Sequence, residues 1–320
     1  MKDPKRTPSA NIVALLAGIG AILCWSVSAV LIRYTRGAFT SHFQNLYRFS
    51  IALIILWTFV YTSLGKTRIR ESLASVPKIW LKLSVIAVCN YFHQLFLVEG
   101  IYRLFPAVAT LLIESSVLFS AAIAFFIFQD ERKLIKNVLF QIGLIIAVVG
   151  MVITITGGRE LKTEGFNTGA LYMILSGLAW ALFSVLIRLW IPQVPSALAT
   201  STVFTIVVPL FFITHLIFSG GAFIPQVSGS MWLVLTLSGV VGIGMGYTFY
   251  YKSLPNLGVT VASSIGLLGP FFTSIISFFV LGEFILFVEA VGGVLLLIGC
   301  YIVIRVRFRK PRPNRKKELS

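Results

Sequence analysis

Residues 24–34 read CWSVSAVLIRY, and residues 179–189 read AWALFSVLIRL. Laid over each other, Trp25 meets Trp180, and Val30-Leu31-Ile32-Arg33 meets Val185-Leu186-Ile187-Arg188. Each stretch sits in a longer apolar run of about 20 residues, the length at which a helix crosses a hydrocarbon core of roughly 30 Å. The likeness extends outward. Phe105–Glu131 lies over Leu257–Glu283, and after a small change in loop length Gly143 and Gly150 meet Gly292 and Gly299.

The composition fits such runs throughout. Of 320 residues, 57% are hydrophobic and 12% charged, whereas a soluble domain carries roughly 25% charged residues. Backbone N–H and C=O groups meet no water inside a bilayer, so each run must satisfy them internally as a helix. The sequence therefore predicts an all-α integral membrane protein with ten transmembrane helices. They fall at about 11–33, 43–64, 80–99, 106–128, 134–156, 168–190, 198–218, 230–252, 258–281 and 284–306. Connections are short and carry breakers such as Pro77, Gly157-Gly158, Pro192, Pro195 and Pro255. No loop is long enough for a soluble catalytic module.

Five spans per half is an odd number, so the halves run in opposite senses. The expected organisation is a first five-helix repeat over 1–156, a second, inverted one over 157–306, and a basic tail over 307–320. Inverted-topology repeats with a binding site at the midplane are a signature of secondary transporters.

The net charge of +16 suggests nucleic acid at first. Most of the 27 Lys and Arg residues, however, fall in alternate connections and in the tail RVRFRKPRPNRKK. By the positive-inside rule both termini are then cytoplasmic. The first run is too long for a signal-peptide core, lacks a small-residue cleavage site, and reads as a retained span. The tail reads as a stop-transfer anchor beside anionic lipid. The expected partners are membrane lipids and a small-molecule solute, with no nucleic acid. Short loops point to a bacterial inner membrane.

Charge inside a span is costly, and is by default a sign of function. Arg48, His93 and Glu114 lie roughly 8, 9 and 12 Å deep from the outer ends of their spans, at about 1.5 Å per residue. They are the first candidates for substrate binding. Arg48 suits a carboxylate through its planar fork. Glu114 suits a proton or an amine, and His93 titrates near neutral pH when unperturbed. The alternatives are an Arg48–Glu114 pair that only holds helices together and a His93 that only bonds a neighbouring helix. Trp25, Trp180 and Tyr247, with Tyr250 and Tyr251, either wall a cavity for a flat or cationic solute or simply pack. Gly242, Gly244, Gly246, Gly266 and Gly269-Pro270 allow close helix approach or a hinge. Glu131 and Glu283 read as caps ahead of helices, and Glu289 and His215 as interfacial. Cys24, Cys89 and Cys300 read as small buried residues. The sequence holds no phosphate-cradling loop, metal-spaced cluster or nucleophile triad. It therefore predicts no enzyme, cofactor or metal.

The Trp-containing first span ending in Arg33, Arg48-Phe49 in span 2, Leu281-Gly282-Glu283, and Gly292 and Gly299 in span 10 resemble the EamA-like, ten-helix branch of the drug/metabolite transporter superfamily. The resemblance covers nearly the whole chain. It implies two five-helix repeats around a central cavity and the movement of amino acids, amines, drugs or related metabolites. One departure stands out: Gly269-Pro270 in span 9 has no counterpart in span 4, which carries Glu114-Ser115-Ser116. The function expected is a secondary transporter of a small amphipathic solute by alternating access, with proton coupling through Glu114 or facilitated diffusion. A membrane-embedded sensor or assembly scaffold is the alternative.

Overall fold

The computed structural model describes residues 8–104, 106–156, 166–218, 224–282 and 287–308. They are helical with no strand among them; Arg36 and Phe39 form an isolated bridge. In order, the helices are α1 (Pro8–Tyr34), α2 (Ser41–Ala74), α3 (Ile79–Arg103), α4 (Pro106–Ile113), α5 (Ser115–Ile127), α6 (Gln129–Ile135), α7 (Val138–Thr156), α8 (Phe166–Trp190) and α9 (Ser196–Phe218). Then come α10 (Gly229–Leu237), a π-helical stretch (Ser238–Met245), α11 (Gly246–Leu257), α12 (Val259–Gly266), α13 (Gly269–Leu281) and α14 (Phe287–Phe308). Seven helical runs among the described residues are long and apolar enough to cross a membrane. Ser115–Ile127, Val138–Gly150 and Val291–Val303 are shorter apolar helices.

The polarity is reversed from that of a soluble protein. Phe126 is 76% exposed and Phe279 78%, while Arg48 is 1% exposed and Asn45 and Asn90 are fully buried. Apolar side chains on the outside and polar ones within suit hydrocarbon as solvent. The packing is orderly. α1 lies against α11 and α13, α8 lies against α3 and α5, α2 lies on α9, and α7 lies on α14.

Several runs are interrupted. Between α4 and α5 the ladder shifts at Glu114, where the Val117 N–H bonds the Glu114 carbonyl three residues back at 2.9 Å. Between α12 and α13, Leu267 and Leu268 likewise bond Ser264 and Ile265 at 3.3 and 3.0 Å. These i→i−3 bonds are 3₁₀ turns set into α-helix, a common mark of hinges or functional sites.

The sequence-based spans meet this structure at the second, and differ from it at the fourth and at the ninth, which is divided between α12 and α13. The second span ends where expected, near 64: Gly65, with a φ of 71°, breaks α2 into two helical stretches, the second running to Ala74. Lys66, Arg68 and Arg70 thus ride on a helical extension. The fourth span is not one continuous helix, because it breaks at Glu114.

α7 and α14 approach closely through glycine. A Cβ on Gly299 would lie 2.6 Å from the Gly143 carbonyl oxygen and 2.7 Å from the Ala147 Cα. Backbone cannot retreat as a side chain does. Gly299→Ala should therefore destabilise the purified protein by about 1–3 kcal/mol through overpacking, read as a lower thermal unfolding temperature in detergent. Gly229→Ala, whose Cβ meets nothing within 4 Å, should leave that temperature nearly unchanged.

Candidate functional site

The helix breaks at Glu114 and between Gly266 and Gly269 converge on one interior cavity. Its interior, taken as the space open to the centre of a water molecule, is about 100 Å³. A single water needs roughly 10–15 Å³ on that measure, so there is room for several waters or a small solute. Five of the six site residues expected from sequence line it: Trp25, Arg48, His93, Glu114 and Trp180. Tyr247 stands one layer behind.

Arg48 projects from α2. Its Nη2 donates to the Ser28 hydroxyl of α1 at 2.8 Å, and Ser28 in turn lies 3.1 Å from the Ser238 hydroxyl. Its Nε and Nη1 have no hydrogen-bond partner among the described residues. The close fit depends on the π-helical stretch, since a Cβ on Gly239 would lie 2.9 Å from the Arg48 carbonyl oxygen. Glycine there serves close approach, as it does at Gly246, where a Cβ would lie 2.8 Å from Trp25 Cδ1. Gly244 has room to spare.

Glu114 sits at the α4–α5 break and faces the α12–α13 break. A Cβ on Gly266 would lie 2.9 Å from Glu114 Oε2, and one on Gly269 3.7 Å from Oε1. No side chain among the described residues hydrogen-bonds or ion-pairs with its carboxylate. Arg48 and Glu114 thus share a cavity without pairing, which removes the purely structural Arg48–Glu114 bridge from the reading of the site.

His93 is tied to α8. Its Nδ1 lies 3.0 Å from the Ser176 hydroxyl and 3.2 Å from the Ser176 carbonyl oxygen. The Ser176 hydroxyl donates to the His93 carbonyl at 2.9 Å. A carbonyl only accepts, so a bond to it requires the hydrogen on Nδ1. His93 is therefore a helix–helix hydrogen-bonder and also part of the cavity wall, with its ring 4.8 Å from Trp180.

The aromatic wall is continuous. Trp25 and Trp180 meet edge to face at 5.0 Å, and Tyr250 lies 5.3 and 4.7 Å from them. Trp25 Nε1 donates to the Gly242 carbonyl at 3.0 Å. Tyr250 donates to the Ser184 hydroxyl at 2.8 Å. Tyr247 accepts from Asn90 Nδ2 at 2.9 Å and from Gln94 Nε2 at 2.7 Å, locking α3 to α11.

Sequence reasoning passed over Gln94, Ser26 and Ser28, which also line the cavity. The available signal was an uncharged polar residue within an apolar run, which is weaker than a charge. One further expectation is corrected. Glu131 is not a cap ahead of a helix: it lies within α6, fully buried, and forms an ion pair with Arg188 at the end of α8. Arg188 also stacks over the Phe128 ring at 4.2 Å. The pair packs against Gly258, whose φ of 81° and lack of a Cβ leave space for it. His215, in the last turn of α9, is 2% exposed and sits edge to face with Phe43. Glu283 and the side chains of Glu289 and Cys300 lie outside the described residues; Cys24 and Cys89 are free thiols.

An apolar-surfaced helical fold around a polar cavity defines a multi-pass membrane protein of the transporter class. The chain belongs to the EamA-like transporter family, which matches it over residues 12–156 and 167–305. It is similar to the uncharacterized transporter YyaM of Bacillus subtilis, 25% identical over 292 residues, covering 90% of this chain and 92% of that protein. An uncharacterized transporter of Archaeoglobus fulgidus is 25% identical over 288 residues, covering 88% and 93%. A WAT1-related chloroplastic protein of Arabidopsis thaliana is 22% identical over 234 residues, covering 70% of this chain and 54% of that one. A crystal structure with a TM-score of 0.72 and 18% identity covers 92% of this chain and 96% of its own, and shares the fold.

The Tyr247 hydroxyl has a measurable role. Tyr247→Phe leaves two buried amide donors without an acceptor, at a cost of about 1–3 kcal/mol. Thermal unfolding should report that loss, and a further Asn90→Leu change should recover part of it.

Proposed function

We propose that the chain is a secondary transporter that moves a small amphipathic metabolite by alternating access between two inverted five-helix repeats. The observation that carries this reading is the cavity, which is lined by residues from equivalent positions of both halves. Trp25 and Trp180 occupy the same place in the repeat and touch each other. In the register that lays Phe105 over Leu257, Glu114 falls on Gly266, its neighbour across the cavity. The spans that hold these two are both broken there. α1 meets α11 and α13 as α8 meets α3 and α5, while α2 and α7 pack on their own counterparts, α9 and α14. Such pairing is what a two-fold axis in the membrane plane produces. The shorter apolar helices, with α4 joined to α5, bring the spans of this proposal to ten. The repeats run over 1–156 and 157–306, followed by the basic tail.

With both termini cytoplasmic, the cavity wall runs from Trp25 toward the outer ends of α1 and α3, at Ile32 and Ile101. The Glu131–Arg188 pair then closes the inner end, between α6 and α8. Reorientation breaks that pair and opens a path on the cytoplasmic side of a bacterial inner membrane. Glu114 couples the cycle to protons by holding either a proton or the solute. One acidic site that serves both ligands in turn gives exchange without a second ion pathway.

The test uses proteoliposomes with and without a pH gradient. Wild-type protein should accumulate or release a metabolite from a mixed pool, faster with the gradient. Arg48→Met with Glu114→Gln should fold, by thermal stability, yet lose transport by tenfold or more. Glu114→Gln alone should flatten the pH dependence. A folded double variant that transports at the wild-type rate would remove both residues from the mechanism. Orientation has a separate check: cysteines placed at Ser9 and Ser320 should resist an impermeant thiol reagent in intact cells and react after permeabilisation.

A further inference from the structure

The chain between the second and third spans carries a charge pattern that the cavity does not use. Residues 66–82 read KTRIRESLASVPKIWLK, with five cations, Lys66, Arg68, Arg70, Lys78 and Lys82, and one acid, Glu71. From Ser41 to Leu64, α2 rises roughly 35 Å at about 1.5 Å per residue, more than a hydrocarbon core of roughly 30 Å requires. Gly65, with its φ of 71°, then breaks the helix. The stretch up to Ala74 and the turn into α3 therefore stand at the membrane face. They are held there as an arm: Ile69, Val76 and Ile79 are buried in the main core, with Leu64 and Leu73 packed against it.

The arm emerges on a lipid-facing side of the molecule. Only 22% of the apolar stretch of α2 is buried within the protein, against 39–56% in the other long spans among the described residues. Ile54, Phe59 and Tyr61 on α2 are exposed, as are Trp80, Leu81 and Phe92 on α3. Trp80 stands between Lys78 and Lys82, and tryptophan favours the headgroup level of a bilayer. Lys66, Arg68, Arg70 and Lys78 are exposed, and Lys82 is half-buried. None of the five forms an ion pair among the described residues. Ile69 pins the helix to the core, and Arg68 and Arg70 leave on its two flanks.

We propose that this arm is a docking site for anionic phospholipid, with headgroup phosphates on Arg68, Arg70 and the Lys78–Lys82 turn and with Trp80 and Leu81 in the lipid beside them. Charge complementarity selects this occupant. A cation cluster just beyond a span attracts acidic headgroups, by roughly fivefold in affinity for each cation near the surface. A guanidinium also holds phosphate through two parallel N–H groups. A zwitterionic headgroup carries its own ammonium and gains no such net attraction. A soluble acidic protein would meet the cations but leave Trp80 and Leu81 uncovered. In the orientation proposed above, the arm lies on the cytoplasmic leaflet, where acidic lipid concentrates. The site is separate from the basic tail and does not depend on which solute is carried.

The probe is an equimolar mixture of phosphatidylglycerol and phosphatidylcholine with matched acyl chains, offered to the purified full chain in detergent. Native mass spectrometry reads the lipids retained. Wild-type protein should retain phosphatidylglycerol over phosphatidylcholine by about tenfold or more. Arg68→Gln with Arg70→Gln, Lys78→Gln and Lys82→Gln should bring that ratio to within about twofold of unity. Glutamine in place of the tail cations Arg309, Lys310, Arg312, Arg315, Lys316 and Lys317 should leave most of it. An arm variant that keeps the wild-type ratio overturns the proposal, as does a tail variant that loses as much as the arm variant. Displacement of the phosphatidylglycerol by poly-L-glutamate at equal charge overturns it too, and makes the arm a contact for an acidic protein. Thermal unfolding with phosphatidylcholine present checks that the variants fold. Should the arm variant fail to fold, wild-type protein in nanodiscs decides. The backbone amides of 66–82 should then exchange about threefold or more slowly in phosphatidylglycerol than in phosphatidylcholine, and those of Gly229–Leu237 alike in both. Equal exchange of 66–82 in the two lipids overturns the proposal.

Discussion

Backbone amides within hydrocarbon have no water to bond, and every departure from helix must therefore be covered by protein. The breaks in this chain obey that constraint. The 3₁₀ turns at Glu114 and at Leu267–Leu268 both lie at the central cavity, against each other's helices, not against lipid. The π-helical stretch from Ser238 to Met245 is backed by Arg48 and Trp25, and Trp25 bonds one of its carbonyls. The irregular backbone at Glu114 and at Leu267–Leu268 is thus gathered in one place by a single requirement. The cavity is where the helices are permitted to be imperfect.

That concentration gives the interior its chemistry. Seryl hydroxyls, amides and a phenol hydrogen-bond between helices, through Ser28–Ser238, His93–Ser176 and Tyr247 with Asn90 and Gln94, while the Asn90 and Gln94 amide oxygens find no partner among the described residues. Buried networks of this kind are costly when half-made and rigid when complete. Arg48 Nε and Nη1 are left without a partner among the described residues, as are the Asn90 and Gln94 amide oxygens, and the Glu114 carboxyl has no side-chain partner there. Unpartnered polar atoms gathered beside one cavity suit a site that a ligand completes.

Much of this was legible in the sequence, for identifiable reasons. The apolar runs could be read because a span must hold about 20 residues with few charges. Arg48, His93 and Glu114 could be read because charge is rare at such depth, and Trp25 and Trp180 because the repeat names each through the other. The break at Glu114 could not be read, because no glycine or proline marks it. The π-helical stretch has three glycines, which read equally well as packing. The separate helical stretch after the Gly65 break was hidden by its charge, since Lys66, Arg68 and Arg70 look like a loop. Glu131 was misjudged because its partner, Arg188, lies 57 positions away, and nothing local announces it. Gln94 and Ser28 carry no charge and so gave no signal.

Gly266 has one more implication. It carries no side chain, lines the cavity, and abuts the Glu114 carboxylate. The volume beside that carboxylate is therefore set by a single hydrogen atom, on a helix end whose neighbours are otherwise fixed by packing. Replacement by alanine would fill part of the chamber and push on the acid at the same moment. Size selection and charge recognition are hence mechanically joined at one residue, so that a lineage drifting toward bulkier or slimmer cargo would have to readjust its acidic residue along with its steric limit.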